Sequence, residues 1–165
     1  MRKIWIYSTA ILLAGLFTAG FSGEKQSPAK KAAEKTRAVE KEIREIVISP
    51  VGDQMKYAVT EFTVKTGEKV RITLKNVAKL QGMNHNVVIC KPGTDTDAVG
   101  IAGLQVGLKK NYVAEREDVL FHTEVALPGE SKSIEFTAPA PGEYPYICTF
   151  PGHWTLMKGV MKVVE

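Results

Sequence analysis

The sequence lacks a dominant charge of one sign over most of its 165 residues, although its formal net charge is +4. The basic excess lies in Arg2, Lys3 and residues 24–45, and basic and acidic residues are equal in number from Ile46 onward. No Lys/Arg stripe of the kind that neutralises phosphates is present, so the sequence gives no support to nucleic-acid binding.

Cysteine is also scarce, with only Cys90 and Cys148 in the chain. Neither cysteine belongs to a C-x-x-C-H pattern, so covalent attachment of a c-type haem is not indicated. A disulfide between the two is one interpretation. The other is that Cys148 is a free thiolate ligand and Cys90 a small buried hydrophobic residue at the end of a strand.

The N-terminus has the pattern of an export signal. Arg2 and Lys3 precede an uncharged, mostly apolar run over residues 4–21, which predicts a signal peptide over residues 1–22 cleaved before Gly23. An uncleaved membrane anchor is the alternative, because the run is long. We therefore expect an exported, periplasmic protein. Residues 23–45 form a linker rich in Lys, Glu and Ala, either partly helical or solvated.

Short runs of β-branched and aromatic residues, separated by turn residues, predict an all-β sandwich domain over residues 46–165. The predicted strands cover residues 45–49, 61–65, 69–76, 85–90, 119–125, 131–137, 142–147 and 158–164. Residues 92–118 interrupt this pattern. They predict a flap with a short helix at residues 101–113.

A cysteine, a histidine and a methionine follow one another near the C-terminus in the spacing C-x4-H-x4-M, as Cys148, His153 and Met157. His85, at the head of a predicted strand, can supply a second imidazole. Two imidazoles, a thiolate and a weak thioether form the ligand set of a blue-copper site, whereas methionine is a poor ligand for zinc. Seen alone, each residue could be core filling, but together they predict one copper ion. His122 is expected to be structural.

This pattern resembles the azurin-like cupredoxins and is similar to auracyanins. Residues 148–159 resemble the ligand loop of azurins, and residues 84–86 resemble the segment with their upstream histidine. The likeness extends through residues 52–55, 102–104 and 125–131. The resemblance implies an eight-stranded Greek-key β-sandwich, cupredoxin-like, with a short helical flap.

The resemblance also implies roles for residues beside the ligands. Asn86 is expected to connect the two ligand segments, and the backbone N–H groups of Asn86 and Phe150 to donate to the Cys148 sulfur. Pro151 has no N–H and cannot add a donor. Asn84 replaces the glycine usual in azurins.

A copper ion held by four side chains has little room for a substrate. We therefore predict not an enzyme but a type 1 copper protein that carries single electrons between redox proteins such as cytochromes or oxidoreductases. Transient docking is expected at an apolar patch around His153, made of Met55, Met83, Pro151, Gly152, Trp154 and Leu156. Copper transport or storage is the alternative. A copper oxidase is disfavoured because only His122 remains for a second site.

Overall fold

The computed structural model describes residues 43–165, so the predicted signal peptide and linker residues 23–42 lie outside the described part of the chain. The strands are β1 Arg44–Ile48, β2 Glu61–Lys65, β3 Lys69–Lys75, β4 Val88–Cys90, β5 Val119–His122, β6 Ser131–Thr137, β7 Gly142–Ile147 and β8 Lys158–Val164. Helix α1 spans Thr96–Val106, and a 3₁₀ helix follows at Leu108–Lys110. Within residues 43–165, no helix has the length and apolarity needed to cross a membrane.

The strands form two sheets, in the orders β1-β3-β6 and β2-β8-β7-β4-β5. The pairs β1/β3 and β2/β8 are parallel, and the other pairs are antiparallel. Some strands that are adjacent in a sheet are far apart in sequence, so the chain crosses from one sheet to the other between them. The predicted all-β sandwich of eight strands with one short helix is confirmed for the described residues.

Alternation along the strands creates the core between the sheets. In β3, Val70, Ile72 and Leu74 are buried, while the residues between them are half-buried and those at the two ends are exposed. In β8, Met161 and Val163 occupy the corresponding inward positions. Each such side chain contributes roughly 1.5–3 kcal/mol by leaving water. This core provides a rigid support for the loops at the ends of the strands.

Three strands are shorter than the sequence predicts. Strand β3 ends at Lys75, one residue early, whereas β4 begins at Val88 rather than His85 and β5 ends at His122 rather than Val125. The chain segments still run side by side, with an isolated bridge between His85 and Ala126. Between them, the Val87 N–H donates to the Thr123 Oγ1 (3.0 Å) instead of a backbone carbonyl. This side-chain acceptor interrupts the regular ladder next to a predicted metal ligand.

The helix prediction of residues 101–113 is wrong in position, since α1 spans Thr96–Val106. The Asp95 side chain accepts hydrogen bonds from the N–H groups of Asp97 and Ala98, and so starts the helix earlier. Gly107, at a φ of 69° and a ψ of −171°, adopts a backbone conformation that is open mainly to glycine and that ends the helix. Both signals are visible in the sequence.

Helix α1 packs closely on the C-terminal loop through two glycines. A Cβ on Gly100 would lie 2.3 Å from the Trp154 ring. A Cβ on Gly103 would lie 2.1 Å from the Tyr112 carbonyl oxygen and 3.3 Å from Thr149. The flap therefore supports the loop that contains the predicted ligands.

Candidate metal centre

The loop of residues 148–157 connects two adjacent antiparallel strands, β7 and β8. Cys148 directly follows β7, Met157 directly precedes β8, and the Cys148 N–H donates to the Met157 carbonyl (3.0 Å). Within the loop, the His153 carbonyl accepts from the Met157 N–H (2.8 Å). Gly152, at a φ of 80°, permits the turn before His153. The sheet thus fixes both ends of the loop.

Three of the four predicted ligands converge on one point. The Cys148 Sγ lies 3.6 Å from the His153 Nδ1 and 3.9 Å from the His85 Nδ1. The three ligand atoms all lie within 4.8 Å of one another. His85, Cys148 and Met157 are fully buried, and His153 is 5% exposed. Met157 completes the set from the end of the same loop.

Burial keeps both imidazoles neutral. It lowers the pKa of His85 to about 4, with a further contribution from the charge of His153, and it lowers the pKa of His153 as well. Neutral imidazoles have a free lone pair for a metal at pH 7. The two rings lie with their centroids 5.0 Å apart and their planes tilted by 41°.

Burial also raises the pKa of the Cys148 thiol to about 12. The backbone N–H groups of Asn86 and Phe150 and the Tyr57 hydroxyl oppose this rise through hydrogen bonds to the sulfur. A bound cation supplies the charge that the site otherwise lacks, and so deprotonates the thiol. Two neutral nitrogens, one sulfur that becomes a thiolate and a thioether fit copper.

The side chain of Asn86 connects the two ligand segments. Its Nδ2 donates to the Thr149 Oγ1 (2.8 Å) and to the Asn111 carbonyl (2.8 Å). Its Oδ1 accepts from the Thr149 N–H (2.8 Å). Since Asn86 follows His85 and Thr149 follows Cys148, these bonds fix the two ligands relative to each other.

Tyr57 is a residue of the site that sequence reasoning missed. It is fully buried between β1 and β2, and its hydroxyl donates to the Asn86 carbonyl (2.5 Å). A tyrosine in a loop between two strands gives no local signal of such a contact. The contact depends on a sequence separation of 29 residues.

The two cysteines are free and buried, and they belong to different core clusters, so they form no disulfide. Cys90 ends β4 and packs with Val88 and Val99, where burial raises the pKa of its thiol to about 12. His122 is an exposed residue at the end of β5, outside the ligand cluster. Both placements agree with the sequence interpretation.

The remaining predicted residues lie around the ligands. Asn84 is half-buried with its Oδ1 inaccessible and unpaired, as is the His85 Nε2. Phe150 packs against the His153 ring (centroids 5.0 Å apart), and Pro151 is half-buried. The Asn84 Oδ1 therefore lacks the hydrogen bond that a buried amide oxygen usually accepts.

The predicted docking residues differ in exposure. Leu156 is 64% exposed and Met55 38% exposed, and together with Met83 they line a surface cavity of about 580 Å³. Gly152 is exposed as well. Trp154 instead packs on the core cluster beneath α1 and is only half-buried, so much of its ring supports the flap.

A two-sheet all-β fold with a buried His-Cys-His-Met set at one end defines a mononuclear blue-copper protein of the cupredoxin class. The chain belongs to the plastocyanin/azurin family of copper-binding proteins, whose family model matches residues 45–164. The donor set and the family together assign copper as the metal of this site.

Individual relatives support this assignment. Auracyanin-A of Chloroflexus aurantiacus is 38% identical over 121 residues, which cover 72% of this chain and 73% of that protein. Azurin-2 of Alcaligenes xylosoxydans xylosoxydans is 41% identical over 118 residues, covering 67% of this chain and 91% of that protein. The dithionite-reduced auracyanin of Roseiflexus castenholzii matches in structure with a TM-score of 0.67 at 40% identity, covering 73% of this chain and 97% of that chain.

Proposed function

We propose that the protein is a one-electron carrier and not an enzyme, and that it works between redox proteins outside the cytoplasm. The observation that carries this proposal is the burial of the ligand set: three ligands are fully buried and His153 is 5% exposed. A substrate would have to displace a ligand to reach the metal. Copper, when bound there, supplies a reversible change between Cu(II) and Cu(I).

Preorganised ligands support the same role. The loop of residues 148–157 is closed by the strand pair β7/β8, and Asn86 connects it to the His85 segment through three hydrogen bonds. Side chains fixed in this way keep nearly one geometry in both oxidation states. Little reorganisation is then needed for each electron transfer.

His153 is the proposed point of electron exit, because it is the ligand with exposed surface. The apolar side chains of Met55, Met83 and Leu156 lie at the neighbouring cavity. A small apolar surface of this kind suits a brief encounter with a cytochrome or an oxidoreductase. The near-neutral charge of the domain gives no reason to expect a nucleic-acid partner.

An extracytoplasmic location is part of the proposal. It depends on the charged start and apolar run of residues 1–21, which are typical of an export signal. Whether this segment is cleaved or tethers the protein to a membrane is tested by determining the N-terminal residue of the protein isolated from the cell. A start at Gly23 supports cleavage, and a start at Met1 or Arg2 in the membrane fraction supports an anchor.

Copper loading tests the function. We expect Cu(II) to give an intense blue thiolate-to-copper absorption and a reversible one-electron wave in voltammetry. The variant Cys148→Ser should lose the colour. A colourless Cu(II) adduct of the unchanged protein would contradict the proposal.

Copper exchange separates the proposal from transport or storage. A carrier with buried ligands should release copper slowly to a strong chelator, whereas a transport protein must exchange it readily. Complete transfer of copper to a chelator within seconds would favour the transport function.

A further inference from the structure

Tyr57 is a buried polar residue whose hydroxyl lies at the copper site without being a predicted ligand. The residue is fully buried in the same core cluster as Cys148 and Met157. A bridge to Pro50 fixes its backbone, and its ring packs on Tyr146 with centroids 5.4 Å apart. The ring is therefore held by packing, and the position of its hydroxyl is well determined.

The hydroxyl donates to the Asn86 carbonyl at 2.5 Å. Asn86 follows the ligand His85, and its side-chain amide hydrogen-bonds Thr149, which follows the ligand Cys148. Tyr57 thus fixes the backbone of a residue that acts on both ligands. Its side chain adds a contact between the β1–β2 segment and the metal site.

This hydrogen bond is the link between Tyr57 and the copper site. A shift of the Asn86 backbone would move His85 directly and Cys148 through Thr149, so the bond constrains the positions of both ligands.

A role for Tyr57 as an electron relay is less well supported. Oxidation of a tyrosine releases its proton, and the group that receives the Tyr57 O–H is a backbone carbonyl, which is not a base. Tyr146 has the same arrangement, with its hydroxyl on the Val59 carbonyl at 2.6 Å. Both hydroxyls thus donate to backbone carbonyl oxygens.

We propose that Tyr57 is a positioning residue of the copper centre, whose hydroxyl holds the Asn86 backbone in place and so fixes the two ligand segments relative to each other. Partners outside the ligand set that orient the ligands also tune the properties of the bound metal. This inference rests on the proposed redox function of the same site.

The test compares Tyr57→Phe with Tyr146→Phe in the copper-loaded protein. Both variants keep a buried ring and lose one hydroxyl bonded to a backbone carbonyl. Both should therefore lose a similar amount of stability. Only Tyr57→Phe should shift the redox equilibrium with a fixed mediator, by severalfold to about tenfold, where tenfold corresponds to 59 mV. Its blue absorption band should move as well.

Replacement of Tyr57 with 3-fluorotyrosine is a second control, because the fluorinated phenol keeps the donor to the Asn86 carbonyl. Its potential and blue band should stay closer to those of the unchanged protein than those of Tyr57→Phe do. An unchanged potential in Tyr57→Phe, or an equal shift in Tyr146→Phe, would overturn the role of Tyr57 while leaving the carrier function intact. Absence of any one-electron wave in the unchanged protein would instead overturn the carrier function.

Discussion

Replacing Asn86 with leucine removes the connection between the two ligand segments without a large change in side-chain volume. The amide makes three hydrogen bonds in a fully buried position, two to Thr149 and one to the Asn111 carbonyl. Leucine satisfies none of these partners. The substitution therefore leaves a donor and two acceptors unpaired beside the metal site.

The expected loss follows from these contacts. A typical buried hydrogen bond contributes roughly 1 kcal/mol net, and an unsatisfied buried partner costs roughly 1–3 kcal/mol. Because Thr149 and Asn111 can relax only in part, we expect Asn86→Leu to lower the free energy of unfolding of the metal-free protein by about 3–5 kcal/mol. Urea unfolding, followed by circular dichroism, measures this quantity.

Asn76 provides a matched control. It is 1% exposed and also makes three hydrogen bonds, to the carbonyls of Met83 (2.8 Å) and Ala126 (3.0 Å) and from the Ala78 N–H (3.1 Å). None of these bonds involves the loop of residues 148–157, and in Asn76→Leu the Ala126 carbonyl keeps the hydrogen bond that it accepts from the His85 N–H (3.1 Å). Asn76→Leu should therefore cost similar stability but change the copper absorption much less.

The two variants together decide whether Asn86 acts on the site or only on the fold. In copper-loaded Asn86→Leu we expect a shifted absorption band and faster copper release to a chelator. A loss of stability below about 1 kcal/mol would refute the hydrogen-bond reasoning. An equal change of the copper spectrum in Asn76→Leu would refute the claim that the connection between the ligand segments is what matters.

Three further outcomes are expected. Cys90→Ala should keep the blue colour at a stability cost of about 1 kcal/mol, and loss of colour would show that this thiol belongs to the copper site. The free energy of unfolding of the metal-free protein should fall by up to about 3 kcal/mol as the pH falls from 6.5 to 4. The reason is that the unfolded chain binds a proton in this range, whereas the folded chain keeps His85 neutral down to its pKa of about 4. Equal urea midpoints at pH 6.5 and pH 4 would contradict this. Gly100→Ala should lower the free energy of unfolding by about 1–3 kcal/mol and alter the fluorescence of Trp154, because the new Cβ would lie 2.3 Å from that ring. Gly142→Ala, with nearest contacts at 3.4 Å, is the control and should have little effect.

Much of the fold could be predicted from the sequence, because strand alternation and turn residues are local signals. Strands β2, β6, β7 and β8 have the predicted bounds. The errors lie where side chains replace backbone partners. Thr123 takes the Val87 N–H and shortens the strands beside His85, and Asp95 starts the helix earlier than its apolar pattern suggests.

The ligand loop is the part of the site that the sequence determined by itself. Cys148, His153 and Met157 lie within ten consecutive residues between two strands, and so short a segment can bring them together wherever the rest of the chain goes. The choice of copper follows from the same residues, because ligand softness is a property of the side chains.

The tertiary structure alone decided how that loop meets the rest of the molecule. His85 is 63 residues from Cys148, and only the pairing of β4 with β7 places its Nδ1 3.9 Å from the sulfur. The positions of Tyr57 and Trp154 also depend on the tertiary structure. The Tyr57 hydroxyl contacts the Asn86 carbonyl, and the Trp154 ring packs against Gly100 of α1. Such contacts depend on sheet register and on packing between distant segments, which no local pattern encodes.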